Sequence, residues 1–318
     1  MTCDTGIPGA VSHVHLIPET VWGTTPGSPT RTLLPVMDIP ISFEMQGRQS
    51  DAFVGTVDGV HYRNSKGNPK GTLTAALYGF QRATATISVA EVLLRWMIPA
   101  TFDNTTLCDM PSMTIEVAEG DNSSNRKWTG VRVGQFTISA SETDPQIKVQ
   151  ATVEGKDEAA LATAATVPTD LNKLIDMDFS DVVLTIGGTE VTIKGFTLSV
   201  DYGMTVEFNN SRRPEVMVVT KRDVKLTLDM NKIDDTYDVL MRNDLENEYE
   251  IVLEMRGSHN GTGATGTDTV VTITLGRAIL TKASTTLARG ALNKQPLEFV
   301  CLKPMTSDPT IDLAFTEE

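Results

Sequence analysis

His13 and His15 flank one residue in the run His13-Val14-His15-Leu16-Ile17, so a strand would place both imidazoles on one face. That spacing can bind a metal ion, but no third ligand is evident, and no metal or cofactor is expected. The other histidines are His61 and His259. Two acidic pairs could do acid–base work. Asp234-Asp235 reads better as a helix start, where the helix dipole favours negative charge, and Asp176-Met177-Asp178 as a solvated linker. Cys3, Cys108 and Cys301 are odd in number and far apart, which is neither a zinc pattern nor a disulfide framework. Either the compartment is reducing or disulfides are not used. Cys301 alternates with Phe299 and reads as a small buried apolar residue. No Gly-rich phosphate loop follows a strand and opens a helix. Gly187-Gly188 reads as a hairpin turn between Val183–Ile186 and Glu190–Ile193. Nothing singles out a Cys-His or Ser-His-Asp arrangement, and an enzyme is not expected.

The elements that would position these residues form one β-rich pattern written twice. In the first pass, 36–45 and 71–78 read as strands, 89–97 as a short helix stopped by Pro99, and 113–117 as a strict alternator. Residues 131–140 and 146–154 form a hairpin around 142–145. The second pass keeps the order: an alternating stretch within 191–208, the alternator 222–230, a helix over 234–241, then strands at 250–255, 274–284 and 295–302. At 318 residues the chain has room for two such domains. The division is an arm at 1–35, domains at 36–155 and 182–302, a linker at 156–181 with a helical turn at 157–162, and an acidic tail at 303–318 that acts as an exterior or inter-subunit strap.

Net charge is −14, with the larger share in the second half. A protein that reads nucleic-acid sequence would show a basic stripe instead. The acidity fits solubility, and it also fits a channel wall that repels phosphate. No basic-then-apolar leader is present, so a signal peptide is not expected, and no apolar run is long enough for a membrane helix.

The arm carries Ile17-Pro18-Glu19-Thr20-Val21-Trp22-Gly23-Thr24-Thr25-Pro26. This phrase resembles the N-terminal I-P-E-T-x-W-G-T-T-P signature of tail tube proteins from long-tailed, non-contractile bacteriophages. The downstream element order agrees over most of the chain. The resemblance implies a mainly β fold of two tandem tube-type β-sandwich or half-barrel domains, each with one short helix, contributing strands to a ring-shaped inner β-barrel. It implies a structural virion protein, assembled in the host cytoplasm, whose stacked rings form a conduit for DNA ejection. The partners would be further copies of the chain, trimeric rings being favoured over hexamers. The tape-measure protein and passing double-stranded DNA would occupy the lumen, with tail terminator and distal tail proteins at the ends.

Alternation assigns the polar face that such a lumen needs. It comprises Gln135, Thr137 and Ser139; Gln146, Lys148, Gln150, Thr152 and Glu154; Thr197, Ser199 and Asp201; and Asp223, Lys225, Thr227 and Asp229. In an ordinary sandwich the same face would meet bulk solvent. The excursion from Gly47 to Lys70, with Phe53, Val54, Asp58, His61, Tyr62 and Arg63, is the expected contact to the adjacent ring, and its counterpart at Asn209–Glu215 is short. Trp22 would dock in a neighbour's groove or cover its own domain's edge. Residues 256–267 are flexible by composition and belong on the exterior or at a ring edge. A related tail or baseplate ring protein, and a two-domain glycan-binding adhesin with exposed aromatics on one face, are the alternatives.

Overall fold

Period-two alternation dictates strands here, and Gly, Pro and Asn end them. The chain is mainly β in a computed structural model that describes residues 12–49, 62–80, 89–99, 110–119, 125–161, 174–232, 236–242, 248–257, 269–285, 292–303 and 309–317. In chain order the elements begin with β1 (Ser12–Pro18), β2 (Thr32–Leu34), β3 (Val36–Asp38), β4 (Ile41–Gln49), β5 (Tyr62–Ala76), β6 (Tyr78–Phe80), α1 (Val89–Met97), β7 (Met113–Glu119), β8 (Arg126–Ser141), β9 (Asp144–Glu154) and β10 (Asp157–Ala160). They continue with β11 (Leu174–Asp176), β12 (Val182–Ile186), β13 (Thr189–Glu190), β14 (Gly195–Asp201), β15 (Met204–Glu207), β16 (Val216–Val219), β17 (Asp223–Asp229), α2 (Thr236–Arg242), β18 (Glu248–Gly257), β19 (Thr269–Ala283), β20 (Leu297–Cys301) and β21 (Asp312–Glu317).

One pairing scheme occurs twice. β4, β5, β9 and β8 pair in that order, all antiparallel. β14, β17, β20 and β19 do the same. β14 also pairs with β8, from Gly195↔Ser141 to Asp201↔Gln135, so the two sets form one continuous eight-stranded sheet. The long strands β8 and β19 each continue into a second ladder. The first half of β8 pairs with β7 and β10, and β1 and β2 extend from β7. The first half of β19 pairs with β18 and β21, and β12 and β13 extend from β18.

The core lies on the apolar face of this sheet. Phe136, Ile138, Val149, Ala151, Leu198, Val200, Leu226 and Leu228 are all buried there. Burying each large one fully is worth about 1.5–3 kcal/mol. α1 is apolar on two adjoining faces, Ala90/Leu93/Leu94/Met97 and Val89/Val92/Trp96, all buried. Only Glu91 and Arg95 reach outward, joined at 2.9 Å across one turn. The helix ends at Met97, two residues before Pro99, as the sequence predicts. β5 crosses β4 so closely that a Cβ at Gly71 would stand 2.2 Å from the Pro40 carbonyl oxygen, which accounts for glycine there. Gly187 and Gly188, at φ 58° and 77°, make the expected tight turn between β12 and β13.

Four expectations are corrected. Residues 157–162 hold no helical turn: Asp157–Ala160 is β10, because the open edge of β8 offers ladder partners that outweigh alanine's helix preference. The Asp176–Asp178 segment is no solvated linker. β11 pairs with β6, Met177 is fully buried, and the Asp178 carboxylate caps a 3-10 turn at 2.8 Å from Ser180 N. The tail is not a strap between subunits over Asp312–Glu317, which pairs with β19 of its own chain. The Gly47–Lys70 excursion is largely a hairpin extension, laddered out to Gln49↔Tyr62; Gly67, Asn68 and Pro69 obscure it in sequence. Its tip at 50–61, Asp234-Asp235, and 258–268 of the glycine-rich loop lie outside the described residues.

Candidate functional site

The residues expected on one polar face are brought together by strand register. Across the β8–β14 junction Gln135 faces Asp201, Thr137 faces Ser199 and Ser139 faces Thr197. The next ladder sets these against Asp223, Lys225 and Thr227. On the other side of β8, Gln135 faces Thr152, Thr137 faces Gln150 and Ser139 faces Lys148. Residues directly opposite in a ladder share a face, so this is one surface running through both halves of the sheet. Asp229 lies at one end, opposite Gly195, and Glu154 at another, opposite Arg132 and Lys70. Gln146 sits at the rim, its amide donating to Tyr78 Oη at 3.3 Å. Thr72 and Thr74 on β5, and Glu298 on β20, extend the face. Sequence reading missed these three, although Thr72-Leu73-Thr74 and Glu298-Phe299-Val300 carry the alternation that could have found them.

Lysines are interleaved with the acids on this surface. Asp201 and Asp223 stand directly opposite, a repulsive pairing that Lys221 relieves by reaching both, at 2.8 and 2.6 Å. The Lys221 hydrogen bond, then the Gly203 amide, hold the Asp201 carboxyl below its ordinary pKa. The two carboxylates hold the Lys221 ammonium above its own. Lys194 bridges Glu142 at 2.9 Å and lowers its pKa likewise. Lys148 pairs with Asp144, and Lys282 with Glu298.

The sheet has two open edges. Among the described residues, β3 and β4 pair only with β5, so their outer side has no strand partner. At the far end β19 has β20 on one side, and beyond Ile279 no described strand on the other. Between these edges the β15–β16 hairpin leans on the base of the β4–β5 hairpin. Gly67 N donates to Arg212 O at 3.0 Å, and the Arg213 guanidinium stands 4.4 Å from the Phe43 ring centroid. Arg213 also reaches Asp157 at 2.7 Å, and Arg132 Nη1 donates to Met217 O at 2.6 Å. Of the expected ring-contact residues, Phe53, Val54, Asp58 and His61 lie outside the described residues, and Tyr62 and Arg63 pair through their backbones with Gln49 and Arg48.

The arm phrase forms a clasp on its own chain. Glu19 Oε2 accepts from Gly23 N at 2.8 Å and Ser112 Oγ at 2.7 Å. Its Oε1 accepts from Thr114 Oγ1 at 2.7 Å and Gly130 N at 2.9 Å. Trp22 Nε1 donates to Gly130 O at 2.9 Å, and the Lys156 ammonium stands over the indole at 4.4 Å. Thr25 and Thr114 hydroxyls meet at 3.0 Å. Each side chain of the phrase that makes these bonds thus holds the arm against β7 and β8.

The family model of the phage tail tube protein matches residues 9–301. The chain belongs to that family. Membership implies a structural virion component that assembles with its own copies into a tube. A comparison with curated proteins returned no match. No described helix of this tail tube protein is long and apolar enough to cross a membrane, and no metal-binding cluster occurs among the described residues.

His13 and His15 do stand together, ring centroids 5.2 Å apart and edge to face. His15 is buried opposite Glu116, which Arg31 binds at 2.7 Å. Burial first, then His13, push the His15 pKa down to about 4. The unfolded chain takes up this proton below about pH 6.5, whereas the folded chain waits until about 4. Stability therefore falls as pH drops through that window and levels off below it. Urea midpoints at about pH 7 and about pH 5 should show this loss in the native chain and a smaller one in His15→Gln. Equal losses would remove His15 as the cause.

Proposed function

We propose that this tail tube protein builds its rings by continuing one sheet from chain to chain. The outer edge of β3–β4 joins the open end of β19 on the next copy, as β14 joins β8 within one chain. The β8–β14 ladder is the observation that carries this reading, because it joins two like sets of strands edge to edge. Residues 36–155 and 182–302 then act as two tube domains joined by 156–181. Three chains give a pseudo-sixfold ring, and closure removes the free edges that a lone chain exposes. The polar face lines the lumen. Acids such as Asp229 and Glu154 repel the phosphates of ejecting DNA, while bridging lysines keep the wall from becoming a strong single-sign field. The tape-measure protein occupies this lumen before ejection, and terminator and distal proteins cap the stack in a non-contractile tail assembled in the host cytoplasm. The role is non-enzymatic. Among the described residues the exposed large hydrophobic side chains include no aromatic, which disfavours the adhesin reading.

The β4–β5 hairpin makes the ring-to-ring contact. Deleting Gly55–Asn64 is expected to leave a folded protein that forms single rings and no tubes by negative-stain microscopy. Tubes of normal length after the deletion would remove the hairpin from that role. Wild-type protein that forms no rings at high concentration would refute the ring reading itself.

A further inference from the structure

The two helices carry related runs, Glu91-Val92-Leu93-Leu94-Arg95 in α1 and Asp238-Val239-Leu240-Met241-Arg242 in α2. α1 lies against β8 and α2 against β19, the matching strands of the two pairing schemes. The strands before them align too: Leu73-Thr74 matches Leu226-Thr227, and Ile41 opposite Gly71 matches Val200 opposite Val224. Phe43 and Met45 thereby take the places of Tyr202 and Met204.

The matched helix positions differ sharply in burial. Val92 and Leu94 are 7% and 0% exposed, whereas Val239 and Met241 are 44% and 39% exposed. α1 is covered by β2 and β6 of its own half and by two groups from the second half. Tyr202 donates its hydroxyl to Met97 O at the end of α1, and the Phe315 ring lies 5.4 Å from the Arg95 guanidinium. Asp238 ties the start of α2 to its own half through Lys232 and through Gln295 Nε2 at 2.9 Å, which leaves the Val239–Met241 side bare. At the opposite edge of the sheet Met37 and Met45, in step with the buried Ile41, are 52% and 41% exposed. Four of the seven exposed large hydrophobic side chains therefore lie in two patches, one at each open edge.

We propose that the bare face of α2 is the seat for a second copy of this chain, whose β3–β4 edge covers Val239 and Met241 with Met45 and the end of β4 as Tyr202 covers the end of α1. The occupant follows from the internal pairing: the group that stands over α1 comes from the strand that continues the sheet past β8, and only another copy can supply the strand that continues it past β19. Two different patches meet, so the contact is heterologous, as a ring requires. This inference rests on rings that grow by edge addition and adds the side chains that decide their affinity.

Val239→Asp tests it, with Met45→Cys/Met241→Cys as a second, independent measurement. The aspartate variant should melt like the wild type, since the site is exposed, and should need at least about tenfold more protein to form rings by analytical ultracentrifugation. The double-cysteine variant, in a background with Cys3, Cys108 and Cys301 replaced by alanine, should give linked multimers with a short bifunctional thiol reagent. Wild type and Val239→Asp assembling at equal concentration, or rings that yield no linked multimers, would overturn the α2 seat and leave edge addition standing. A wild type that forms no rings would overturn both.

Discussion

Tyr202→Ala is expected to lower unfolding free energy by about 3–5 kcal/mol, the range for emptying a large aromatic site. The side chain is fully buried at the point where the sheet passes from its first set of strands to its second. Its ring lies 6.3 Å from Phe136, its hydroxyl donates to Met97 O, and its amide donates to Gly134 O at 2.9 Å. Burial holds the phenol well above its ordinary pKa, so it remains a neutral donor at physiological pH. Removing the ring opens a cavity between α1 and the sheet and strands the Met97 carbonyl. Tyr202→Phe keeps the packing and loses only the hydroxyl, at about 1–3 kcal/mol. Urea midpoints of the three proteins check the order. A Tyr202→Ala midpoint equal to that of Tyr202→Phe would show that the ring does not join the two halves.

Glu19→Ala is expected to cost about 2–4 kcal/mol, since four donors lose a charged acceptor at once. Glu19→Gln should recover little of it. Whichever oxygen becomes the amide nitrogen then faces a backbone N–H, of Gly23 or of Gly130, and neither can rotate away as a hydroxyl can. Limited proteolysis adds a local readout: cutting within the arm should rise in both variants. An arm equally resistant in the wild type and Glu19→Ala would contradict the clasp.

Much of the fold was legible because its strands are half-buried. Phe136/Ile138 against Gln135/Thr137, and Val224/Leu226/Leu228 against Asp223/Lys225/Thr227, show the alternation that one wet face imposes. α1 was legible to the residue, since an apolar run meets Pro99. β10 and β21 were not, because their pairing partners sit on distant strands and their own residues are Ala, Asp and Glu. The arm phrase could be recognised as a motif but not as a clasp. Glu19's partners Ser112, Thr114 and Gly130 lie 93, 95 and 111 positions along the chain, and no local pattern marks them. The contrast between α1 and α2 was equally hidden, for related runs read alike until one is seen covered and the other bare.

Sheet continuity from chain to chain is tested most directly by electron cryo-microscopy of the assembled tube. The account predicts three chains per ring and an unbroken inner sheet in which β3–β4 of each chain lies beside β19 of the next, with Thr137, Ser199 and Lys225 pointing into the lumen. Six chains per ring, or an inner wall that does not include the β8–β14 junction, would contradict it.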